Sequence, residues 1–132
     1  MPAIDRCHFQ VVRALEKDGW EVDDRQYALT SFPGKRLFVD IQARKGERQL
    51  LLVEVKCFTG QWLDELYQAI GQYLVYQHLV QQISPRRALY LAIPRHVYLD
   101  FVKQFVLPII KEHRIKLLVV DLEREEIDQW LP

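Results

Sequence analysis

The stretch QLLLVEVKC at residues 49–57 decides the fold class of this sequence. The segment from Leu50 to Val53 runs without polar alternation, a pattern typical of a central strand that is covered on both faces. Glu54 and Lys56 interrupt this apolar run, and they project the same way because side chains two residues apart on a strand share a face. Burying charge is costly unless something compensates it. We therefore expect a buried central strand that carries a polar site near its end.

A second strand, predicted over Leu37–Ala43, precedes this one and is joined to it by a polar turn. If the two strands form a hairpin centred on Glu47, Asp40 stands directly opposite Glu54. Two directly opposed carboxylates repel each other and destabilise a sheet. Something positive should compensate them, and both Lys56 and a divalent cation are candidates.

Helices and further strands flank this predicted hairpin. Apolar spacing and turn residues predict a helix over Ile4–Asp18, a short strand over Tyr27–Thr30, a long helix over Gln61–Ile83, a strand over Arg87–Ile93, a helix over Val97–His113 interrupted near Pro108, a strand over Ile115–Val120 and a short edge strand over Ile127–Leu131. Strands that alternate with helices predict an α/β fold with a mixed sheet and helices on both faces. We expect one domain over residues 1–132.

The composition is that of an ordinary soluble protein. Of 132 residues, 49% are hydrophobic and 27% charged, which excludes disordered, collagen-like and coiled-coil chains. No apolar run approaches the roughly 20 residues that span a bilayer, and the N-terminus lacks the apolar region of a signal peptide. We expect a cytoplasmic location, and therefore expect Cys7 and Cys57 to be small buried thiols.

The charges of the chain cancel, with 18 basic and 18 acidic residues. A neutral chain does not coat nucleic acid non-specifically, so any DNA binding must use local basic patches. The candidates are Lys35, Arg36, Arg44, Lys45, Arg48, Arg86 and Arg87. Each group also has an ordinary interpretation as a solvated turn, and the sequence leaves both open.

Asp40 and Glu54 are the candidate chemical centre. Two convergent carboxylates are the usual oxygen-ligand core for Mg²⁺. A bound metal polarises a phosphoryl oxygen and lowers the pKa of a bound water, while Lys56 could stabilise the charge of a transition state. This set suits phosphodiester hydrolysis. The alternative is a solvated strand face with no chemistry, and the spacing alone does not decide between them.

Val39-Asp40, Glu54-Val55-Lys56 and the long helix that follows resemble the PD-(D/E)XK nuclease superfamily. The resemblance implies a restriction-endonuclease-like core with the order αβββαβ, followed here by a C-terminal helix and strand. Gln72 and Tyr76 fit the Gln-x-x-x-Tyr pattern of the second core helix in two branches of that superfamily. Gln72 is then expected to point toward the metal site or the DNA. Val39 stands where the superfamily often has proline.

This resemblance also implies a ligand set. Mg²⁺, with Mn²⁺ as a substitute, would be held by Asp40, Glu54 and the backbone carbonyl of Val55. His8 lies near the position where many members carry a glutamate that contacts the metal. That histidine could bind the metal, hydrogen-bond a metal-bound water, or simply pack in the core.

The chain also resembles the XisH family, controlling factors of fdxN-element excision, over nearly its whole length. The segments that carry this resemblance are Lys17–Trp20, Asp40, Val53–Phe58, Ala69–Tyr73, Leu89–Pro94 and Ile115–Leu117. The resemblance implies a cyanobacterial factor for programmed excision of a DNA element. It also implies two partners, a separate site-specific recombinase and a small companion excision factor (XisI-like).

Three functions therefore remain open: a magnesium-dependent endodeoxyribonuclease, a catalytically inactive DNA-binding or recombination-accessory protein, and a protein-interaction module. The intact set of Asp40, Glu54 and Lys56 favours the first. The zero net charge and the histidine at position 8 favour the others. We also expect a homodimer, because the helix over Gln61–Ile83 is poor in charge and rich in aromatic residues.

Overall fold

The structure is a computed structural model that describes residues 6–32 and 35–132, without the side chains of residues 30–32 and 35. The helices are α1 (His8–Lys17), α2 (Trp62–Ile83), α3 (Arg95–Val97) and α4 (Leu107–Glu112), with a π-helical segment over Tyr98–Val106. The strands are β1 (Glu21–Val22), β2 (Tyr27–Phe32), β3 (Lys35–Val39), β4 (Ile41–Lys45), β5 (Gln49–Val55), β6 (Arg87–Pro94), β7 (Leu117–Asp121) and β8 (Glu126–Leu131).

Six strands form one mixed sheet in the order β1-β4-β5-β6-β7-β8. The β4–β5 hairpin is antiparallel, β5, β6 and β7 run parallel, and β8 returns antiparallel to β7. Ile41 pairs with Val53 and Lys45 with Gln49, which is the register expected for a hairpin centred on Glu47. The predicted mixed α/β sheet flanked by helices is confirmed.

The strand predicted over Leu37–Ala43 is wrong as a single element. The chain bends at Asp40, so that β3 pairs with β2 in a separate two-stranded sheet while β4 remains with β5. The hydrogen bonds of Asp40 explain the break. Its backbone N–H donates to Oε1 of Glu54 at 3.2 Å, and its Oδ2 accepts from the backbone N–H of Val55 at 2.8 Å. Hydrogen bonds to side chains therefore replace the backbone hydrogen bonds of the strand pairing at this bend.

The two faces of the large sheet are covered by different helices. On one face, α1 packs against alternate residues of β5, including Leu51, Val53 and Val55. On the other face, α2 and the last helical segments pack against Leu52 and the inward residues of β6 and β7. This alternation places the Glu54 side chain on the α2 face, as expected for a strand covered on both sides.

The long helix predicted over Gln61–Ile83 is confirmed as α2. Its buried stripe consists of Leu66, Ala69, Tyr73, Tyr76 and Val80, whereas Leu63 and Leu74 are exposed. The predicted last helix is broken into α3, the π-helical segment and α4. Pro108 lies at the start of α4, where the lack of a backbone N–H loses no hydrogen bond within that helix. The same lack prevents the preceding helical segment from continuing regularly through this position.

Cys7 and Cys57 are buried as expected, but the expectation of two separate thiols is wrong. They form a disulfide with a Cα–Cα distance of 5.8 Å, because α1 lies across the end of β5 and brings the two residues together. The cross-link joins the first helix to the residue that follows Lys56. In the part of the chain that the structure describes, no helix is both long and apolar enough to cross a membrane.

Candidate metal and phosphodiester site

Asp40 and Glu54 lie together at the point where β3 gives way to β4, beside the end of β5. Glu54 is 6% exposed and Asp40 is half-buried. The two carboxyl groups hydrogen-bond to each other, and the backbone N–H of Asp40 donates to Oε1 of Glu54. Hairpin register and the bend together therefore bring the two acids into one site.

The Glu54 carboxyl is strongly perturbed in this position. Burial raises its pKa, the negative charge of Asp40 raises it further, and the result is a pKa of about 9. The backbone N–H of Asp40 and the charge of Lys56 act in the opposite direction but do not compensate. Near neutral pH, Glu54 thus keeps a proton in the folded chain unless a further positive charge joins the pair.

Gln72 contacts this pair from α2. Its side-chain amide donates to Oε2 of Glu54 at 2.7 Å and to the hydroxyl of Tyr76 at 3.1 Å. Gln72 and Tyr76 are four residues apart and so lie on the same face of the helix. Tyr76 is buried, and burial raises the pKa of its hydroxyl. Tyr76 thus belongs to the site through Gln72, and its four-residue spacing from Gln72 in the Gln-x-x-x-Tyr pattern is the sequence signal for that role.

Lys56 and Val55 follow Glu54 directly. Lys56 is half-buried, and its charge acts on the Glu54 carboxyl, as the shared strand face requires. Its backbone N–H donates to the carbonyl of Ala92 at 3.0 Å, which extends the pairing of β5 with β6 by one residue. The backbone N–H of Val55 is engaged by Asp40. Three of the predicted catalytic residues, Asp40, Glu54 and Gln72, are thus joined by hydrogen bonds, and Lys56 lies beside them.

His8 belongs to α1, which packs on the sheet face opposite to that of the Glu54 side chain. It is 7% exposed, and its ring meets that of Phe9 edge-on at 5.1 Å. This position fits a histidine that packs in the core better than one that binds a metal beside Glu54.

The candidate DNA-contacting residues lie in three segments: the β4–β5 hairpin, β3, and the start of β6 with Arg86 and Arg87. Arg44, Lys45 and Arg48 are at the far end of the β4–β5 hairpin, about 16 Å from Glu54 for five residues of strand. Arg44 pairs with Glu21 at 3.0 Å, and Lys45 with Asp18 at 3.5 Å. Arg36 is exposed on β3, three residues before Val39, whereas the side chain of Lys35 lies outside the described residues. Along the chain, Arg36 and Arg44 are each four residues from Asp40, on opposite sides of it.

The chemistry of the acid pair fits a hard divalent cation. Among the described residues, no group of three or more His, Cys, Asp and Glu side chains could hold a metal ion. Two carboxylates supplemented by water and a backbone carbonyl are nonetheless a donor set that Mg²⁺ accepts. The positive charge of a cation here would lower the pKa of Glu54, acting against the burial and the charge of Asp40 that raise it.

Comparison with known proteins adds the family. The model of the XisH family, described as "XisH protein", matches residues 1–128 of this chain. The chain belongs to the XisH family. A search of the curated proteins finds no match.

Solved structures agree with XisH membership. An fdxN element excision controlling factor protein from Anabaena variabilis is 36% identical, with a TM-score of 0.86, over 95% of this chain and 97% of that one. An XisH family protein from Nostoc punctiforme PCC 73102 is 34% identical, with a TM-score of 0.85, over 97% of this chain and all of the other. A protein of unknown function from Silicibacter pomeroyi shares only the fold, at 13% identity and a TM-score of 0.54.

Proposed function

We propose that this XisH protein is a metal-dependent DNA endonuclease-type protein with a PD-(D/E)XK, restriction-endonuclease-like core. It would hydrolyse phosphodiesters during controlled excision of a DNA element in the cytoplasm. The observation that carries the proposal is the buried Asp40–Glu54 pair, whose carboxyl groups share a hydrogen bond while Glu54 is also held from α2 by Gln72. Two acids opposed at the end of an apolar strand repel each other and are costly to bury, and a bound cation would offset both effects.

The residues of the site divide the work by position. Asp40 and Glu54 would hold Mg²⁺ or Mn²⁺, with the carbonyl of Val55 as a further ligand. When bound, the metal supplies Lewis-acid activation of a phosphoryl oxygen and of a water. Gln72 fixes the orientation of the Glu54 carboxyl through its 2.7 Å hydrogen bond. Lys56, on the same strand face, would orient the attacking water or stabilise the negative charge that develops on the phosphoryl group.

The role in excision is supported by relatedness. The Anabaena variabilis relative is called an fdxN element excision controlling factor protein, and it aligns with this chain almost from end to end. We extend that role to this chain, with DNA, a separate site-specific recombinase and a small companion excision factor as partners.

A second candidate is a catalytically inactive DNA-binding or recombination-accessory protein that works through a protein partner. This candidate is favoured because three of the four carboxyl oxygens of Asp40 and Glu54 already accept hydrogen bonds. The donors are the side-chain amide of Gln72 and the backbone N–H groups of Asp40 and Val55. A cation would have to share or displace these donors. The two candidates differ in one outcome, the cleavage of DNA.

The test is a cleavage assay on supercoiled and branched DNA with Mg²⁺ or Mn²⁺. The proposal predicts nicked or linear product from the unaltered protein, and a loss of at least about a hundredfold in Glu54→Ala and in Lys56→Ala. Lys111→Ala, an exposed lysine on α4, is the matched control and should cleave normally. Activity that survives both site substitutions identifies a contaminant and contradicts the proposal. A folded protein that binds DNA without cleaving it supports the accessory role instead.

A further inference from the structure

A cleft on the α1 face of the sheet, far from the acid pair, combines aromatic rings with basic side chains. Helix α1 covers the end of this face that carries Val55 and Cys57. At the other end of the strands the face is open and holds a cleft of about 450 Å³. Its lining residues are Asp18, Trp20, Lys45, Arg48, Gln49, Leu50, Leu51, Arg86, Ala88, Tyr90 and Trp130.

Three half-buried rings form the floor of this cleft. Trp130 of β8 lies between the other two, with its ring 6.0 Å from that of Trp20 and 5.0 Å from that of Tyr90, which it meets edge-on. The rings come from β6, β8 and the segment before β1, so three separate elements fix them. A set of rings that pack on one another and still line an open cleft is a preorganised platform for stacking.

Basic side chains surround these rings. Lys45 Nζ lies 5.0 Å above the ring of Trp20, and Lys116 Nζ lies 5.8 Å from that of Tyr90. Arg48 and Arg86 line the cleft and are exposed. Asp18 is the one acid among the lining residues, and it already pairs with Lys45. In a chain of zero net charge, this is a local positive excess.

We infer that this cleft binds single-stranded DNA. Proteins that hold single strands combine aromatic side chains, on which bases stack, with cations that contact the backbone phosphates. The rings of Trp20, Tyr90 and Trp130 supply the first, and Arg48 and Arg86 at the rim supply the second. A duplex hides its bases from such a platform, so the cleft selects unpaired nucleotides. The choice of DNA rests on the proposed function, but the binding needs neither metal nor cleavage.

The test is fluorescence anisotropy of a labelled oligothymidylate of about 10 nucleotides, titrated with the full chain in the presence of EDTA. EDTA removes divalent cations, so that any binding of the single strand is measured without a metal at Asp40 and Glu54. The result therefore tests this inference separately from the proposed function. A duplex and an RNA of the same length, together with thymidine monophosphate as a competitor, are the other arms. Single-stranded DNA should bind with higher affinity than the duplex or the RNA, and the mononucleotide should not compete effectively.

Variants locate the binding. The double variant Arg48→Gln/Arg86→Gln changes exposed residues only and should weaken binding about tenfold, with a salt-dependence slope reduced by about 1.4 for two lost phosphate contacts. Trp20→Leu should also weaken binding about tenfold through lost stacking. Lys103→Gln and Trp62→Leu, which alter an exposed lysine and a tryptophan that packs against Phe101, are the matched controls.

Several results would overturn the inference. Binding that is unchanged in both the arginine and the tryptophan variants shows that the strand lies elsewhere. Equal losses in the two controls show a general effect on the fold. Tighter binding of duplex or of RNA, or displacement by an equal concentration of the mononucleotide, assigns the cleft to another ligand.

Discussion

The side-chain amide of Gln72 donates a 2.7 Å hydrogen bond to Oε2 of Glu54, which ties helix α2 to the central strand β5. The carboxyl that it holds is buried and carries a pKa raised to about 9 by burial and by the charge of Asp40. One residue of a helix thus orients the group on which the proposed chemistry depends. The contact therefore makes the orientation of the Glu54 carboxyl depend on how α2 packs against the sheet.

Gln72→Leu should destabilise the protein by about 1–3 kcal/mol, because a buried carboxyl oxygen and the Tyr76 hydroxyl lose their donor while no new partner replaces it. Urea denaturation followed by circular dichroism measures the change. Gln68→Leu makes the same substitution at an exposed position of the same helix and should change stability by less than about 0.5 kcal/mol. Equal losses of stability in the two variants would show that the hydrogen bond to Glu54 does not contribute to the free energy of unfolding.

Stability should fall as the pH rises from about 4.5 to about 9. In this window the folded chain keeps the Glu54 proton, whereas the unfolded chain, with a pKa near 4.5, has lost it. Because the folded state binds more protons, each pH unit can lower the free energy of unfolding by about 1 kcal/mol.

Glu54→Gln removes this titrating group and should flatten the dependence of stability on pH between those limits. Denaturation at pH 5, 7 and 9 gives the comparison, with Glu47→Gln in the exposed turn as the matched control. If the glutamine variant loses stability toward pH 9 as steeply as the unaltered protein, another group carries the effect.

Reduction of the Cys7–Cys57 disulfide should lower the free energy of unfolding by about 2–4 kcal/mol, since the bond closes a loop across a sequence separation of 50 residues. Urea titrations with and without a thiol reductant measure the loss. The double variant Cys7→Ala/Cys57→Ala should be as weak as the reduced protein or weaker, and should not respond to the reductant. A reductant effect of equal size in the double variant would refute the assignment to this bond.

The exposed apolar residues of α2 are the place to test the predicted homodimer. Leu63, Tyr67 and Val75 are 50%, 62% and 54% exposed, and one more copy of the chain could cover them. Sedimentation at micromolar concentration should give twice 15.8 kDa, and Val75→Arg should return the protein to a monomer. Gln82→Arg, exposed at the end of the same helix, should leave the dimer intact. A 15.8 kDa monomer for the unaltered chain contradicts this prediction.

Hairpin register and the order of most elements followed from the sequence. The polar turn around Glu47 suggested a hairpin centred on that residue, and the structure has the register that this centre implies. The placement of Asp40 opposite Glu54 came from the same logic. Gln72 was predicted only through its resemblance to the Gln-x-x-x-Tyr pattern of a nuclease superfamily, because its contact with Glu54 leaves no other signal in the sequence.

What failed depended on contacts between distant parts of the chain. The bend at Asp40 arises because side chains replace ladder hydrogen bonds there, and strand propensity carries no trace of that exchange. The disulfide needed α1 to lie across the end of β5, which a separation of 50 residues did not reveal. The aromatic cleft likewise collects Trp20, Tyr90 and Trp130 from three distant segments.

Titration calorimetry with Mn²⁺ tests the central claim most directly, because it asks whether Asp40 and Glu54 hold a divalent cation. The account predicts a single ion per chain, with affinity that rises between pH 6 and pH 9 because the cation must displace the Glu54 proton, which is lost to solvent more readily at higher pH. Asp40→Asn should weaken binding at least about tenfold, whereas Asp64→Asn, an exposed acid on α2, should leave it unchanged. Absence of binding across this pH range, or equal affinity in the unaltered protein and in Asp40→Asn, would contradict the account.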